Sequence, residues 1–319
     1  MGDIVLLNLI GIKVVLVHGG GPHIKEVLDR VGIESKFIDG LRVTDAETMK
    51  IVQMVLAGQV NKDLVSLIGS MGGNAIGLCG LDDRMIRVRK QSDDLGFVGK
   101  ITSLDVEIIQ DNLDKGYIPV IATIGTDKNG QAYNINADTA AAEIAGALNA
   151  ECMVSMTNID GVLRDKDDPS SLITDLTLAQ ADQLKKEGVI AGGMIPKVQC
   201  CIDAIQAGVK KVFIVNGMVP HAILIELLTE EGLGTMFVNK YSEAAERLLH
   251  EKKEMCELAM DFKAADKEYI VNVYNRMDAV LDHGKGSVLY DVNGKEYIDL
   301  SAGIAVNVFG AATTSGKTP

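Results

Sequence analysis

The sequence predicts an α/β fold, a three-layer α/β/α sandwich around a mainly parallel central sheet. Two observations carry that expectation. From Asp3 to about Val238, short apolar runs alternate with amphipathic stretches, a pattern that stacks helices on a parallel sheet. Hydrophobic residues make up 47% of the 319, enough to fill a sizeable core. Residues 1–238 are expected to form this domain and 239–319 a small, partial α+β extension.

Taken in order, the first strand is expected at Val14–Val17. It runs into Gly19-Gly20-Gly21-Pro22 and an amphipathic helix with Ile24, Val27, Leu28 and Val31 on one face. A long helix is expected over Asp45–Gly69, where Met49, Val52, Leu56, Val60 and Leu64 recur at three- to four-residue spacing behind a Thr44-x-x-Glu47 capping box. Further strands are expected at Ala75–Cys79, Ile118–Ile124, Cys152–Met156 and Val212–Val215. Ligands of such folds sit beyond the carboxyl ends of the strands. Ser242–Lys267 reads as a solvated helix, and two alternating runs around Asn293-Gly294 read as a hairpin. Ser315-Gly316-Lys317-Thr318 has Ala311 where a phosphate loop needs its first glycine, so that motif is rejected.

Composition narrows the class. A net charge of −13 argues against a nucleic-acid surface, because phosphate backbones need clustered Lys and Arg. The five cysteines, Cys79, Cys152, Cys200, Cys201 and Cys256, show no metal-ligand spacing and read as reduced thiols. No apolar run reaches the roughly 18 residues of a membrane helix, and no signal peptide is evident. A cytoplasmic protein is expected.

Several constellations could do chemistry. Three successive glycines at 19–21 exceed what a turn requires and can present bare amides to an anion. Gly192-Gly193-Met194-Ile195-Pro196-Lys197 puts Pro196 at a helix start and Lys197 in the first turn. There the lysine opposes the helix dipole, at a cost of a few tenths of a kcal/mol, and either binds an anion or is simply solvated. Asp138 reads equally as the N-cap of a helix over Ala140–Leu148 or as a functional carboxylate, with Asn134 and Asn136 on one face before it. Arg42 could grip a carboxylate with its planar fork, although a surface pair with Asp39 or Asp45 is the simpler reading. Thr157-Asn158-Ile159-Asp160-Gly161-Val162 follows a buried strand, as a nucleotide loop or an ordinary Asp-Gly turn.

Together, HGGGP, GLRVTD, YNINAD, TNIDGV, GGMIPK and PHAILIELLTEEGLGT resemble the amino-acid kinase family, and within it the acetylglutamate kinases. The resemblance implies transfer of the ATP γ-phosphoryl group to the side-chain carboxylate of N-acetyl-L-glutamate, in arginine biosynthesis. By the same resemblance, Lys197 and Asp138 would be catalytic, and Gly20, Gly21, Arg42 and Asn134 would bind substrate. Thr157, Asn158, Asp160, Gly161 and Gly193 would lie against the nucleotide. Mg²⁺ would come with ATP, without a protein cage. A homodimer is implied, and L-arginine would be an effector near His221, Glu231, Gly232 and Gly234. Glutamate 5-kinase and carbamate kinase are same-family alternatives; a non-catalytic arginine- or nucleotide-binding remnant is an alternative of another class.

Two features qualify this picture. The family opens with a strand carrying Lys-x-Gly-Gly, which does not occur in this sequence. Met1–Leu7 instead resembles the helix that follows that strand. Weak or absent turnover is therefore expected, since one lost charge-stabilising donor costs about a hundred- to thousandfold, along with unpaired ladder edges. YNRMDAVLDHGKGSVLYDVNGKEYIDLSAGIAVNVFG resembles the beginning of the acetylornithine aminotransferases. Only that beginning is present, so no pyridoxal phosphate is expected.

Overall fold

The computed structural model describes residues 1–229 and 232–239, together with the backbone of strands at 281–285, 288–291 and 296–298. Met1–Tyr241 and Ser242–Pro319 are two compact units.

In the first unit, helix α1 (Gly2–Leu9) precedes strand β1 (Leu16–His18) and helix α2 (Gly21–Arg30). A small antiparallel ribbon, β2 (Phe37–Ile38) and β3 (Leu41–Arg42), turns through Asp39 and Gly40, both at positive φ. The long helix then runs as α3 (Ala46–Gln53), a π-helical stretch (Met54–Val60) and α4 (Asn61–Ser70). Next come β4 (Ala75–Cys79), the antiparallel pair β5 (Ile86–Lys90) and β6 (Gly99–Leu104), and helix α5 (Glu107–Asp114). After these come β7 (Ile118–Ala122), β8 (Ile124–Thr126), β9 (Ala132–Asn134), α6 (Ala137–Ala147) and β10 (Cys152–Thr157).

The remainder carries β11 (Val162–Leu163), β12 (Leu172–Ile173), β13 (Asp175–Thr177), α7 (Leu178–Lys186) and α8 (Met194–Gln206). It ends with β14 (Lys211–Asn216), α9 (Ala222–Leu228) and β15 (Thr235–Val238). In the second unit, β16 (Leu281–Lys285), β17 (Val288–Asp291) and β18 (Glu296–Ile298) pair antiparallel. The Asn293-Gly294 turn expected between β17 and β18 lies outside the described residues.

The parallel core comes in two pieces. One sheet has the order β1-β7-β4, all parallel, and the other β10-β14-β15-β13, parallel except for β14 with β15. Among the described residues β1 is paired only by β7 and β10 only by β14, and helix α6 packs against both strands. Apolar side chains fill the space between sheets and helices. Leu28, Val52 and Ile124 are fully covered on one side, Ile86, Ile109 and Ile144 on another, and Val198, Val212 and Phe237 in the later half.

Three expectations need correction. The run Ile118–Ile124 is not one strand: it breaks at Thr123, and β8 leaves the parallel sheet for the mixed sheet β6-β5-β8-β9, in which β5 and β8 run parallel and the outer pairs antiparallel. The break is stabilised by Thr123 itself, fully buried, whose hydroxyl donates to His18 O and whose carbonyl accepts from Ile135 N–H. Next, the Thr44-x-x-Glu47 box does not form. Asp45 is the N-cap, its carboxylate accepting from Thr48 N–H at 2.8 Å, while the Thr44 hydroxyl donates to Arg42 O.

The third correction concerns the apolar stripe of the long helix. Met49, Val52 and Leu56 are buried as expected, but beyond the π-helical stretch the most buried positions are Asn61 and Ile68, while Leu67 is 42% exposed. One residue added to a turn rotates the rest of the helix by about 100°. Over Ala46–Ser70 this helix is also long and apolar enough to span a membrane by length and composition, although polar residues such as Lys50, Gln59 and Asp63 keep any uninterrupted apolar run short. Its buried face nevertheless packs into the core of the domain.

The Asp45 cap gives a pH-dependent test. Hydrogen bonds from Thr48 hold the Asp45 carboxyl below the ordinary carboxylate range. A folded-state pKa below the unfolded one stabilises above the unfolded value, about 3.9, and that contribution is lost as pH falls through the folded value. Asp45→Ala should cost about 0.5–2 kcal/mol at neutral pH, with the gap from the parent closing in acid, as measured by urea unfolding at both pH values.

Candidate active site

The glycine loop forms where β1 gives way to α2. Gly20 is the N-cap of α2, Gly21 its first residue and Pro22 its second, where a missing N–H costs nothing. None of the three glycines adopts a positive φ, so left-handed turn geometry does not account for them. Gly19 and Gly20 are needed for closeness. A Cβ at Gly19 would lie 3.2 Å from Ala137 Cβ, and one at Gly20 would lie 2.7 Å from Leu56 Cδ2 and 3.3 Å from Val60 Cγ2. Gly21 has open space. The loop is thus pressed onto the first residue of α6 and onto the π-helical stretch, with the start of α2 offering its amides.

The ion pair sits next door. Lys197 Nζ lies 3.2 Å from Asp138 Oδ2, with the two side chains 26% and 35% exposed. Asp138 follows Ala137, the residue against which Gly19 packs, so a cation and the glycine loop share one helix start. Asp138 is not the N-cap. That position belongs to Asn136, whose side chain accepts from Thr139 N–H at 3.0 Å, which leaves Asp138 free in the first turn. Helix α8 starts earlier than expected, at Met194, with Pro196 third and Lys197 fourth. Gly192, at φ +54°, and the N-cap Gly193 turn the chain into it.

Arg42 and Asn134 meet through Thr44, which the sequence offered only as a helix cap. The Thr44 hydroxyl, fully buried, donates to Arg42 O at 2.8 Å and accepts from Asn134 Nδ2 at 3.3 Å. The guanidinium pairs with neither Asp39 nor Asp45. It donates to Ser35 Oγ and to Gly21 O (3.1 Å) and stacks 4.8 Å over the Phe37 ring. Burial lowers its pKa, partly offset by Asp29. Its bond to Gly21 ties the arginine to the glycine loop.

The Thr157–Val162 loop lies beside the end of β14. Thr157 O accepts from Gly217 N–H at 2.8 Å, and Asp160 Oδ1 accepts from Asn216 Nδ2 at 2.7 Å. Asn158 accepts from the Thr157 hydroxyl. Gly161, at φ +145°, is required: its Cβ would fall 2.6 Å from Thr235 Oγ1. This loop is therefore tied to β14 and Thr235, whereas the glycine loop is tied to α6.

Near the carboxyl end of this unit, His221 is left-handed at φ +59° and bonds Asp3 at 2.8 Å. Glu226 accepts from Leu233 N–H at 2.7 Å and Gly234 N–H at 3.0 Å, beside Gly232. Glu231 lies outside the described residues. Among the described residues no three His, Cys, Asp or Glu side chains gather into a metal site.

Residues 1–216 match the amino acid kinase family. The chain is 52% identical over 239 residues to the acetylglutamate kinase of Brachyspira hyodysenteriae, covering 74% of this chain and 83% of that protein. It is 53% identical over 237 residues to the acetylglutamate kinase of Thermosynechococcus vestitus, covering 74% and 80%. The crystal structure of smu.665 from Streptococcus mutans UA159 superposes with a TM-score of 0.65 at 30% identity, over 75% of this chain and 93% of that one.

The contacts of the loop separate its glycines. Gly20→Ala should lower stability by about 1–3 kcal/mol through overpacking against Leu56 and Val60, whereas Gly21→Ala should stay within about 0.5 kcal/mol of the parent. Urea unfolding of both variants measures the difference.

Proposed function

The chain belongs to the amino acid kinase family, and we propose that it transfers the γ-phosphoryl group of ATP to the side-chain carboxylate of N-acetyl-L-glutamate. The observation that carries this reading is the meeting of Lys197, Asp138 and the glycine loop at one end of α6. Identity of about half to acetylglutamate kinases over most of the chain supports the choice of acceptor.

A carboxylate is already a nucleophile, so the reaction needs no general base. It needs two anions held in line and their repulsion suppressed. The amides of Gly20 and Gly21, at the positive end of α2, receive the transferring oxygens. Lys197 supplies the mobile positive charge, and Asp138 holds that ammonium in place until the phosphates arrive. Arg42, anchored on Ser35 and Gly21, takes a substrate carboxylate; Asn134, set by Thr44, binds the acetylated end. Thr157, Asn158, Asp160, Gly161 and Gly193 lie along the nucleotide. Mg²⁺ accompanies ATP and neutralises its phosphates.

The same reading gives a cytoplasmic homodimer built on the long helix, whose Met54, at 61% exposure, and Leu67 are apolar and uncovered. It also makes L-arginine an effector at the His221, Glu231, Gly232 and Gly234 segment. Calorimetry with arginine should give a binding isotherm, and a flat trace would remove the effector.

ADP release measured on N-acetyl-L-glutamate, L-glutamate and carbamate decides the acceptor. Acetylglutamate should be the preferred substrate, and equal turnover of glutamate would overturn the reading. Lys197→Met should reduce kcat by about a hundred- to thousandfold. Arg42→Lys should act mainly on KM for acetylglutamate, because an ammonium cannot reproduce the planar fork.

A further inference from the structure

Beneath the glycine loop lies a buried polar chain that the transfer mechanism leaves without a role. His18 is 8% exposed and Asn61 1%. His18 Nδ1 lies 2.9 Å from Gly19 O, and Asn61 Nδ2 lies 3.1 Å from His18 Nε2. A carbonyl oxygen only accepts, so Nδ1 carries the proton and Nε2 takes a hydrogen from the Asn61 amide. The ring is therefore neutral and fixed in one tautomer. Of the two Asn61 Nδ2 hydrogens, one goes to Val120 O (2.8 Å) and the other is shared between His18 Nε2 and Leu78 O (3.3 Å), while Asn61 Oδ1 accepts from Lys62 Nζ (3.1 Å).

Two local features bring Asn61 there. The π-helical stretch ends at it, with Asn61 N–H bonded to Leu56 O five residues back, and the changed register swings the side chain over the sheet. Gly77 in β4 clears the space: a Cβ there would sit 1.9 Å from Asn61 Oδ1. Single π-turns recur at functional sites, and this one ends under the loop.

The consequence lies in one peptide plane. Gly19 C=O and Gly20 N–H belong to the same trans peptide and point in opposite directions. Holding Gly19 O on the His18 ring aims Gly20 N–H away from that ring. We propose that Asn61 is a positioning residue for phosphoryl transfer, acting through His18 to orient the Gly19–Gly20 peptide so that the Gly20 amide faces the transferring group. The inference rests on the proposed kinase reading. Burial lowers the His18 pKa and its bond to Gly19 raises it, with no charged side chain contributing; Lys62, on α4, is the charged group next to Asn61.

The test combines imidazole 15N spectra with kinetics on the full chain. The parent should show His18 as the neutral Nδ1–H tautomer. Asn61→Ala, which deletes the hydrogen given to Nε2, should raise the His18 pKa. It should also reduce kcat by about ten- to a hundredfold while KM for ATP and acetylglutamate moves by less than about threefold. An Nε2–H tautomer in the parent, or an unchanged kcat in Asn61→Ala, overturns the inference. If Asn61→Ala does not fold, the decision passes to His18. His18→Asn, whose amide can donate from the Nδ1 position, should exceed His18→Ala in kcat by about tenfold or more, and equal values overturn the inference. If the parent turns over no acetylglutamate, as the missing Lys-x-Gly-Gly segment leads one to expect, the histidine spectra decide alone, and a His18 pKa unchanged in Asn61→Ala overturns the inference.

Discussion

The arrangement depends on backbone that has no room for a side chain. Gly19 touches α6 and Gly20 touches the π-helical stretch at distances a Cβ could not tolerate without movement. That closeness lets main-chain amides, rather than long flexible side chains, form the floor of the proposed site. Amides fixed by a sheet and two helices need no reordering when an anion arrives, and electrostatic stabilisation is strongest when its dipoles are already aimed.

From that floor the other parts are reached by contact. Ala137 packs on Gly19, so the start of α6 is brought to the loop and with it Asp138. Because Asn136 takes over the capping of α6, Asp138 can hold Lys197 instead. The pair is partly exposed, so its contribution to stability is small. In the proposed transfer its value lies in keeping the ammonium localised and available. Arg42 is bound to the same loop through Gly21 O, and Thr44 joins it to Asn134. The site is thus a chain of short links across α2, α6, α8 and the Arg42–Thr44 segment.

Polar residues at unexpected places mark where local patterns yield to tertiary ones. Thr123 interrupts an apolar run and sends β8 into a second sheet, satisfying His18 O as it does so. Asn61 occupies a position that a regular helix would have given to Val60, and each polar group of its side chain finds a partner. A buried amide with all its bonds made is far less costly than one left unsatisfied, so such a residue can be kept inside without unfolding the helix that carries it.

The sequence by itself determined the α/β alternation, the strand at Ala75–Cys79, the amphipathic helices and the residue types of the site. These arise from side-chain periodicity and from glycine, proline and capping chemistry, which act over a few neighbours. Only the tertiary structure decided that the glycines serve close approach rather than positive φ, that Asn136 and Asp45 are the caps, and that Arg42 bonds Ser35 and Gly21. The π-turn that exchanges Val60 for Asn61 belongs there too. Each of these is chosen by competition among contacts distant in the chain, and a local pattern contains no record of which contact wins.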